Sequence, residues 1–282
     1  MAVSELTSDD SSFRWGNRTY LMGVINVTPD SFSDGGQFNS VEAAVAQAQR
    51  MVKAGVDILD IGGQSTRPGA AQISLEEELE RTIPVIEAIC RNVSDRVTLS
   101  IDTTRVAVAR SAIAAGANWL NDISGGTYEP EMLTLPGELN CPIVLMHLRG
   151  TPETMQSLTD YGDLMGELVT CLGAQAQKVI DAGAQPEQII LDPGIGFAKT
   201  YEQNIEILRQ LPKLRALGYP LLVGPSRKSF IGQILDQPDP KQRVWGTAAA
   251  CCGAIASGAD ILRVHDVAEM RDVCRVADAI WR

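Results

Sequence analysis

Tyr20 to Gly36 reads YLMGVINVTPDSFSDGG. It opens as a short apolar run with β-branched residues, the pattern of a buried strand, and then breaks into a long stretch of Asn, Thr, Pro, Asp, Ser and Gly. A strand that ends in so long a polar loop reads as a binding edge rather than a plain connector. The deciding question is whether other strands end the same way, and outward from this stretch they do.

Upstream, Phe13 to Leu21 gives FRW, the Gly16-Asn17 turn and RTYL, a short hairpin expected to cap one end of the core; residues 1–12 are a polar tail. Downstream, Val41, Ala44, Val45, Ala48, Met51 and Val52 recur at helical spacing up to Gly55. Strand two is DILDIGG, 57–63, followed by a second long loop, QSTRPGAAQI. Ser74 with Glu77 forms a capping box, and Leu75, Leu79, Ile83 and Ile86 carry a helix with a kink expected at Pro84. Strand three spans 97–102 with a helix over 105–116, and strand four spans 119–125. An irregular stretch with Pro130 and Pro136 leads to strand five, 142–147, and a helix from Asp163 to Gly183. Strand six is 189–194, its helix 201–217 with Pro212 inside. Strand seven is 220–226, the Ala-rich helix 243–257, strand eight 261–265, and Asp266 with Glu269 is expected to cap the last helix.

A faint repeat, AGVD, AGAN, AGAQ and SGAD, precedes several strands, its Gly placed to end a helix. Eight such alternations with doubly buried strands point to a single-domain (β/α)8 barrel over residues 13–282. A doubly wound open sheet is the alternative, although the first loop lacks G-x-G-x-x-G.

The formal net charge of −11 argues against nonspecific binding to nucleic acid or an anionic membrane. Six cysteines show neither C-x-x-C nor a His at metal-ligand spacing, so they read as buried thiols in a reducing cytosol. No apolar run suggests a signal peptide or a membrane span.

In a barrel of this kind the active site lies at the carboxyl ends of the strands. Those ends deliver Asn26, Gly62 leading to Thr66 and Arg67, Asp102, Asn121 with Asp122, His147, Asp192, the run Ser226-Arg227-Lys228-Ser229, and Arg263 with His265. Each alone has a bland reading. Asp122 and Asp266 fit turn formers or helix caps, Arg67 and Arg227 fit solvated charges, and His147 fits a satisfied rim histidine. Their convergence favours function. Two carboxylates and an amide suit a flat heterocycle with a 2-amino-4-oxo edge, while Arg67, Lys228, Arg263 and His265 with Thr66 suit phosphate. Asn26 offers an amide oxygen to a Mg2+ already held by diphosphate.

The motifs GVINVTPDSFSDGG, DIGGQSTRPG, SIDT, NDISGG, MHLRGTPETMQ, LDPGIGFAK, VGPSRKSFIG and RVHDV resemble those of the dihydropteroate synthase family, from about residue 20 to the end of the chain. The resemblance implies condensation of 6-hydroxymethyl-7,8-dihydropterin diphosphate with 4-aminobenzoate on the route to folate. It implies that Asp102, Asn121, Asp192 and Lys228 hold the pterin, that Thr66, Arg67, Arg263 and His265 receive the diphosphate, and that Asn26 ligates Mg2+. Asp102, Asp192, Lys228 and Arg263 would carry the catalysis, and Ser229 with Pro68 and Phe197 would seat the aminobenzoate. Loops 27–39 and 64–73 would close over the site, in a cytoplasmic homodimer. Gln64, where Glu is also frequent, and Leu148-Arg149 depart from the family pattern. A rival, methyl transfer from a methylated folate to a corrinoid, has no need of an anion site built from STRPG, SRKS and RVH. A non-catalytic pterin-binding module would be expected to lack some of these anion or loop residues.

Overall fold

The computed structural model describes residues 13–28, 37–67, 69–93 and 96–282. The tail 1–12, most of the first polar loop and Pro68 lie outside the described residues.

Among the described residues eight strands form the sheet: β1 Tyr20–Asn26, β2 Ile58–Gly62, β3 Thr98–Asp102, β4 Trp119–Asp122, β5 Ile143–Met146, β6 Ile189–Asp192, β7 Leu222–Val223 and β8 Ile261–Val264. They pair in parallel in the order β6-β5-β4-β3-β2-β1-β8-β7. The two ends of that row meet where Leu191 bridges Leu221 and the Leu191 amide donates to the Pro220 carbonyl at 3.0 Å. That contact all but closes the barrel and decides against the open sheet, leaving the shortest strand, β7, at the seam.

The helices are α1 Gln37–Ala54, α2 Leu75–Asn92, α3 Val106–Ala114, α4 Leu135–Leu139, α5 Leu164–Asp181, α6 Tyr201–Arg215, α7 Ser229–Ile234, α8 Val244–Ala256 and α9 Val267–Trp281. Four of them stop where the repeat places glycine: Gly55, Gly116, Gly183 and Gly258 have φ of 90°, 114°, 101° and 95°, a region closed to most side chains.

Alternation along the strands sorts the side chains. Leu59, Ile61, Leu99, Ile101, Leu145 and Leu191 face outward and pack under the helices. Met22, Ile58, Trp119, Val144, Ile190, Leu222 and Ile261 face inward and form an apolar floor with Phe13 and Tyr20. Phe13 stacks on Trp15 at 5.3 Å and sits 5.0 Å from Trp119, so the N-terminal segment plugs the barrel at the amino ends of its strands. Two residues further along the same strands, on the same inward face, come Asp60 after Ile58, Asn121 after Trp119, Asp192 after Ile190 and Arg263 after Ile261. The apolar floor therefore carries a polar layer directly above it.

Several expectations are corrected. The N-terminal hairpin is one bridge residue, Phe13, and a turn whose Asn17 amide donates to Arg14 at 3.3 Å, because the aromatic side chains are drawn onto the barrel floor. Helix α1 starts at Gln37, inside the stretch read as loop. Two short helices fall where the sequence shows no helical period: α4 lies in the irregular stretch with Pro136, and α7 begins at Ser229, at the end of the run after strand seven. The capping box is half made, with Ser74 Oγ accepting from the Glu77 amide at 3.1 Å. Asp266 makes no side-chain cap on α9, since its carboxylate is taken by Arg227. All six cysteines are free thiols, but only Cys141, Cys251 and Cys274 are buried; Cys171 and Cys252 are half-buried and Cys90 is exposed.

Candidate active site

Arg263 organises the polar layer. Its Nε donates to Asp60 Oδ2 and its Nη2 to Asp102 Oδ2, both at 2.7 Å, and Asn121 Nδ2 donates to the same Asp60 oxygen at 2.9 Å. The register explains the meeting, because Gly62 lies beside Asp102 and Asp102 beside Asn121 on neighbouring strands. Burial opposes the charge on Arg263, yet Asp60 and Asp102 outweigh it and hold the guanidinium protonated. Burial likewise raises the Asp102 carboxyl, against the pull of Arg263.

Asp192 ends β6. Its Oδ1 accepts from the Gly194 amide at 2.7 Å, and burial pushes its pKa up to about 6 against Gly194 and Lys228. Lys228 lies with its ammonium 4.1 Å from the centre of the Phe197 ring, and burial, aided by Arg263, lowers its pKa to about 8. The loop between Asp192 and α6 holds these groups close. A Cβ on Gly194 would fall 2.2 Å from the His147 carbonyl, and one on Gly196 2.9 Å from the Lys228 chain, so both positions need glycine. Buried Lys199 staples the loop, donating to the Phe197 carbonyl at 2.8 Å and facing His147 Nδ1 at 3.2 Å; burial lowers its pKa to about 7. Burial and Lys199 also lower His147, which is thereby a neutral part of the staple rather than a rim histidine.

At the carboxyl ends of β7 and β8, His265 Nδ1 lies 3.0 Å from Ser226 Oγ, which also accepts from the His265 amide at 3.2 Å. Burial and the charge of Arg227 lower His265 to about 3, so the ring enters the mouth as a neutral hydrogen-bonding group. Arg227 donates to Asp266 at 2.9 Å and so is not a solvated charge, while Arg149 forms an ion pair with Glu167 and lies 3.7 Å above the Tyr161 ring. Thr66 is half-buried and Arg67 exposed on the second loop, Ser229 is exposed at the start of α7, and Asn26 is half-buried at the end of β1. Asp122 is a turn former, accepting from the Ser124 and Gly126 amides at 2.8 Å and 2.6 Å.

Sequence reading overlooked three groups. Asp60 lies mid-strand, and counting two residues on from Ile58 finds it. Lys199 is hidden within FAKT, with no local signal for burial. Glu78 is buried behind the second loop, accepting from Thr103 Oγ1 at 2.6 Å and pairing with Arg105 at 3.2 Å. Gln64 gains a role as well: its amide donates to Ala71 at 2.9 Å while its oxygen accepts from the Ile73 amide at 2.9 Å. A carboxylate could not do both.

Residues 22–265 match the family described as pterin binding enzyme. The chain belongs to that family. Dihydropteroate synthase of Synechocystis sp. is 64% identical over 96% of this chain and 93% of its own, and that of Bacillus subtilis is 44% identical over 96% and 91%. Among solved structures, a Clostridium difficile dihydropteroate synthase determined in the presence of pteroic acid superposes with a TM-score of 0.90 at 42% identity, covering 96% of this chain and 99% of that one. The Xanthomonas albilineans enzyme with 4-aminobenzoic acid gives 0.87 at 43% identity, covering 93% of each. Within the pterin-binding enzymes this chain therefore stands among the dihydropteroate synthases.

Proposed function

We propose a division of labour among these residues for the condensation that dihydropteroate synthases carry out. That reaction joins 6-hydroxymethyl-7,8-dihydropterin diphosphate to 4-aminobenzoate and yields 7,8-dihydropteroate and diphosphate. The observation that carries the assignment is the clamp of Arg263 between Asp60 and Asp102, with Asn121 on the same carboxylate. Two carboxylates and a cation side by side above an apolar floor support a site that binds a ring and stabilises its leaving group.

Asp102, Asn121, Asp192 and Lys228 read the pterin. Arg263, His265, Thr66 and Arg67 receive the diphosphate, and Phe197, Ser229 and Pro68 seat the aminobenzoate. As the C–O bond breaks, its electron pair leaves with the diphosphate and positive charge spreads from the CH2 group into the ring, facing Asp102 and Asp192. The amine lone pair then forms the C–N bond and one N–H proton is released. The work is electrostatic and positional, with no covalent enzyme intermediate.

Mg2+ is the proposed cofactor. Among the described residues no group of three or more His, Cys, Asp or Glu could hold a metal. Asn26, half-buried at the end of β1, offers one amide oxygen, which fits an ion that takes its remaining ligands from diphosphate and water. Such an ion would neutralise charge on the departing diphosphate.

A homodimer and a cytoplasmic location complete the reading. Ile234, Leu235 and Trp245 are exposed around the junction of α7 and α8, where Leu235 packs close to Gly246, and Trp245 is 76% exposed. An apolar surface of this kind suits a second copy of the chain. No helix among the described residues is long and apolar enough to cross a membrane, and the cysteines are free thiols.

The test is to incubate the purified protein with the pterin diphosphate, 4-aminobenzoate and Mg2+ and follow dihydropteroate. Its formation is expected and should stop in excess chelator. Methyl transfer from a methylated folate to cobalamin, with no dihydropteroate, would overturn the reading.

A further inference from the structure

Asp60 is fully buried, yet it serves no core network. Among the described residues its Oδ2 holds only Arg263 and Asn121, two side chains of the mouth, while its Oδ1 and the neighbouring Ser100 hydroxyl have no hydrogen-bond partner. A carboxylate paired with arginine is an acceptor only, so the group of Asn121 that faces it must be the NH2. The amide oxygen of Asn121 is then turned the other way, into the mouth. Each of the three ring-reading side chains consequently has an oxygen to spare. Asp102 gives one oxygen to Arg263, Asp192 gives one to Gly194, and Asn121 gives its NH2 to Asp60.

We infer that Asp60 is a positioning residue that fixes the sense of the Asn121 amide and so restricts the mouth to a heterocycle presenting N–H donors along that edge. A 2-amino-4-oxo dihydropterin meets this requirement with its 2-amino group and ring N–H groups. A ring carrying a 2-oxo group instead turns lone pairs toward lone pairs. Buried polar mismatches of this kind are where recognition sites discriminate most strongly. The inference rests on the pterin reading above and adds the residue that sets its donor specificity.

The test measures ring binding directly by calorimetry, using 6-hydroxymethylpterin and its 2-oxo analogue, so that it does not depend on turnover. In Asp60→Asn the new amide can donate to Asn121 and reverse its sense. The expected result is pterin affinity lowered at least tenfold and the preference for 2-amino over 2-oxo reduced at least tenfold, with the KM for 4-aminobenzoate changed less than threefold. The exchange Asp60→Asn with Asn121→Asp restores one donor, one acceptor and an oxygen facing the ring, and should recover pterin affinity to within about fivefold. Should Asp60→Asn fail to fold, the 15N side-chain amide of Asn121 in the wild type decides instead: slow proton exchange in the free protein and no proximity to ring protons in the complex are expected. An unchanged preference in a folded Asp60→Asn, no recovery in the exchange variant, or Asn121 amide protons against the ring would overturn the inference. A wild type that makes dihydropteroate yet gives one of those results loses only this inference; one that makes none loses the functional reading.

Discussion

Asp192 illustrates what the mouth asks of single residues. Its pKa of about 6 against an ordinary 3.8 means that the folded state binds its proton more tightly than the unfolded one. Its contribution to stability is therefore most favourable below the ordinary value and is lost as pH rises through 3.8 towards 6, leaving a cost at pH 7 of at most about 3 kcal/mol. Asp192→Asn keeps an acceptor for the Gly194 amide, so it should raise the melting temperature at pH 7, lose that gain by about pH 4, and lower turnover at least 10²-fold. A variant that melts lower and stays active would contradict the assignment. The same groups bound the pH range. Asp192 must be ionised and Lys228 protonated, so kcat/KM should fall below about pH 6 and above about pH 8, with Lys228→Gln abolishing the alkaline limb. At this scale the strand ends were legible because strand chemistry stops abruptly there. Asp60 was not, because it is one acid inside an apolar strand and only the period of two gives it a direction.

Elements convert those residues into a site. The loop from Asp192 to α6 is held by Lys199, by Gly194 against the His147 carbonyl, and by the Gly196 amide donating to Asn204 at 2.6 Å. Phe197, and with it the ammonium of Lys228, is placed by that loop. Lys199→Met leaves the Phe197 carbonyl without its donor and His147 Nδ1 without its polar partner. It should lower kcat/KM about tenfold or more through misplacement, without removing any group assigned to substrate. A wild-type rate would show that the staple is only structural. Helices α1 and α2 were legible from apolar period, α1, α3, α5 and α8 from their glycine stops and α8 also from its Ala-rich run, while α9 was placed by an Asp266 cap that the side chain does not make. The helices α4 and α7 were not legible, since five and six residues are too short to show a period, and α7 follows a strand of only two residues. Tertiary packing decides such segments.

At the scale of the whole molecule, closure of the barrel brings residues from β2, β3, β4, β6 and β8, separated by up to 203 positions, into one layer. The exposed Trp245 belongs to the outer surface, and Trp245→Glu should shift the proposed dimer to monomer in sedimentation while leaving the barrel folded; an unchanged mass would move the interface elsewhere. The central claim is that acid groups for the ring and basic groups for the leaving group meet at Arg263. Its most direct test is the rate of diphosphate release in a single turnover by Arg263→Ala, checked for native fold by circular dichroism. Release slowed at least 10²-fold is predicted. Release at close to the wild-type rate would contradict it.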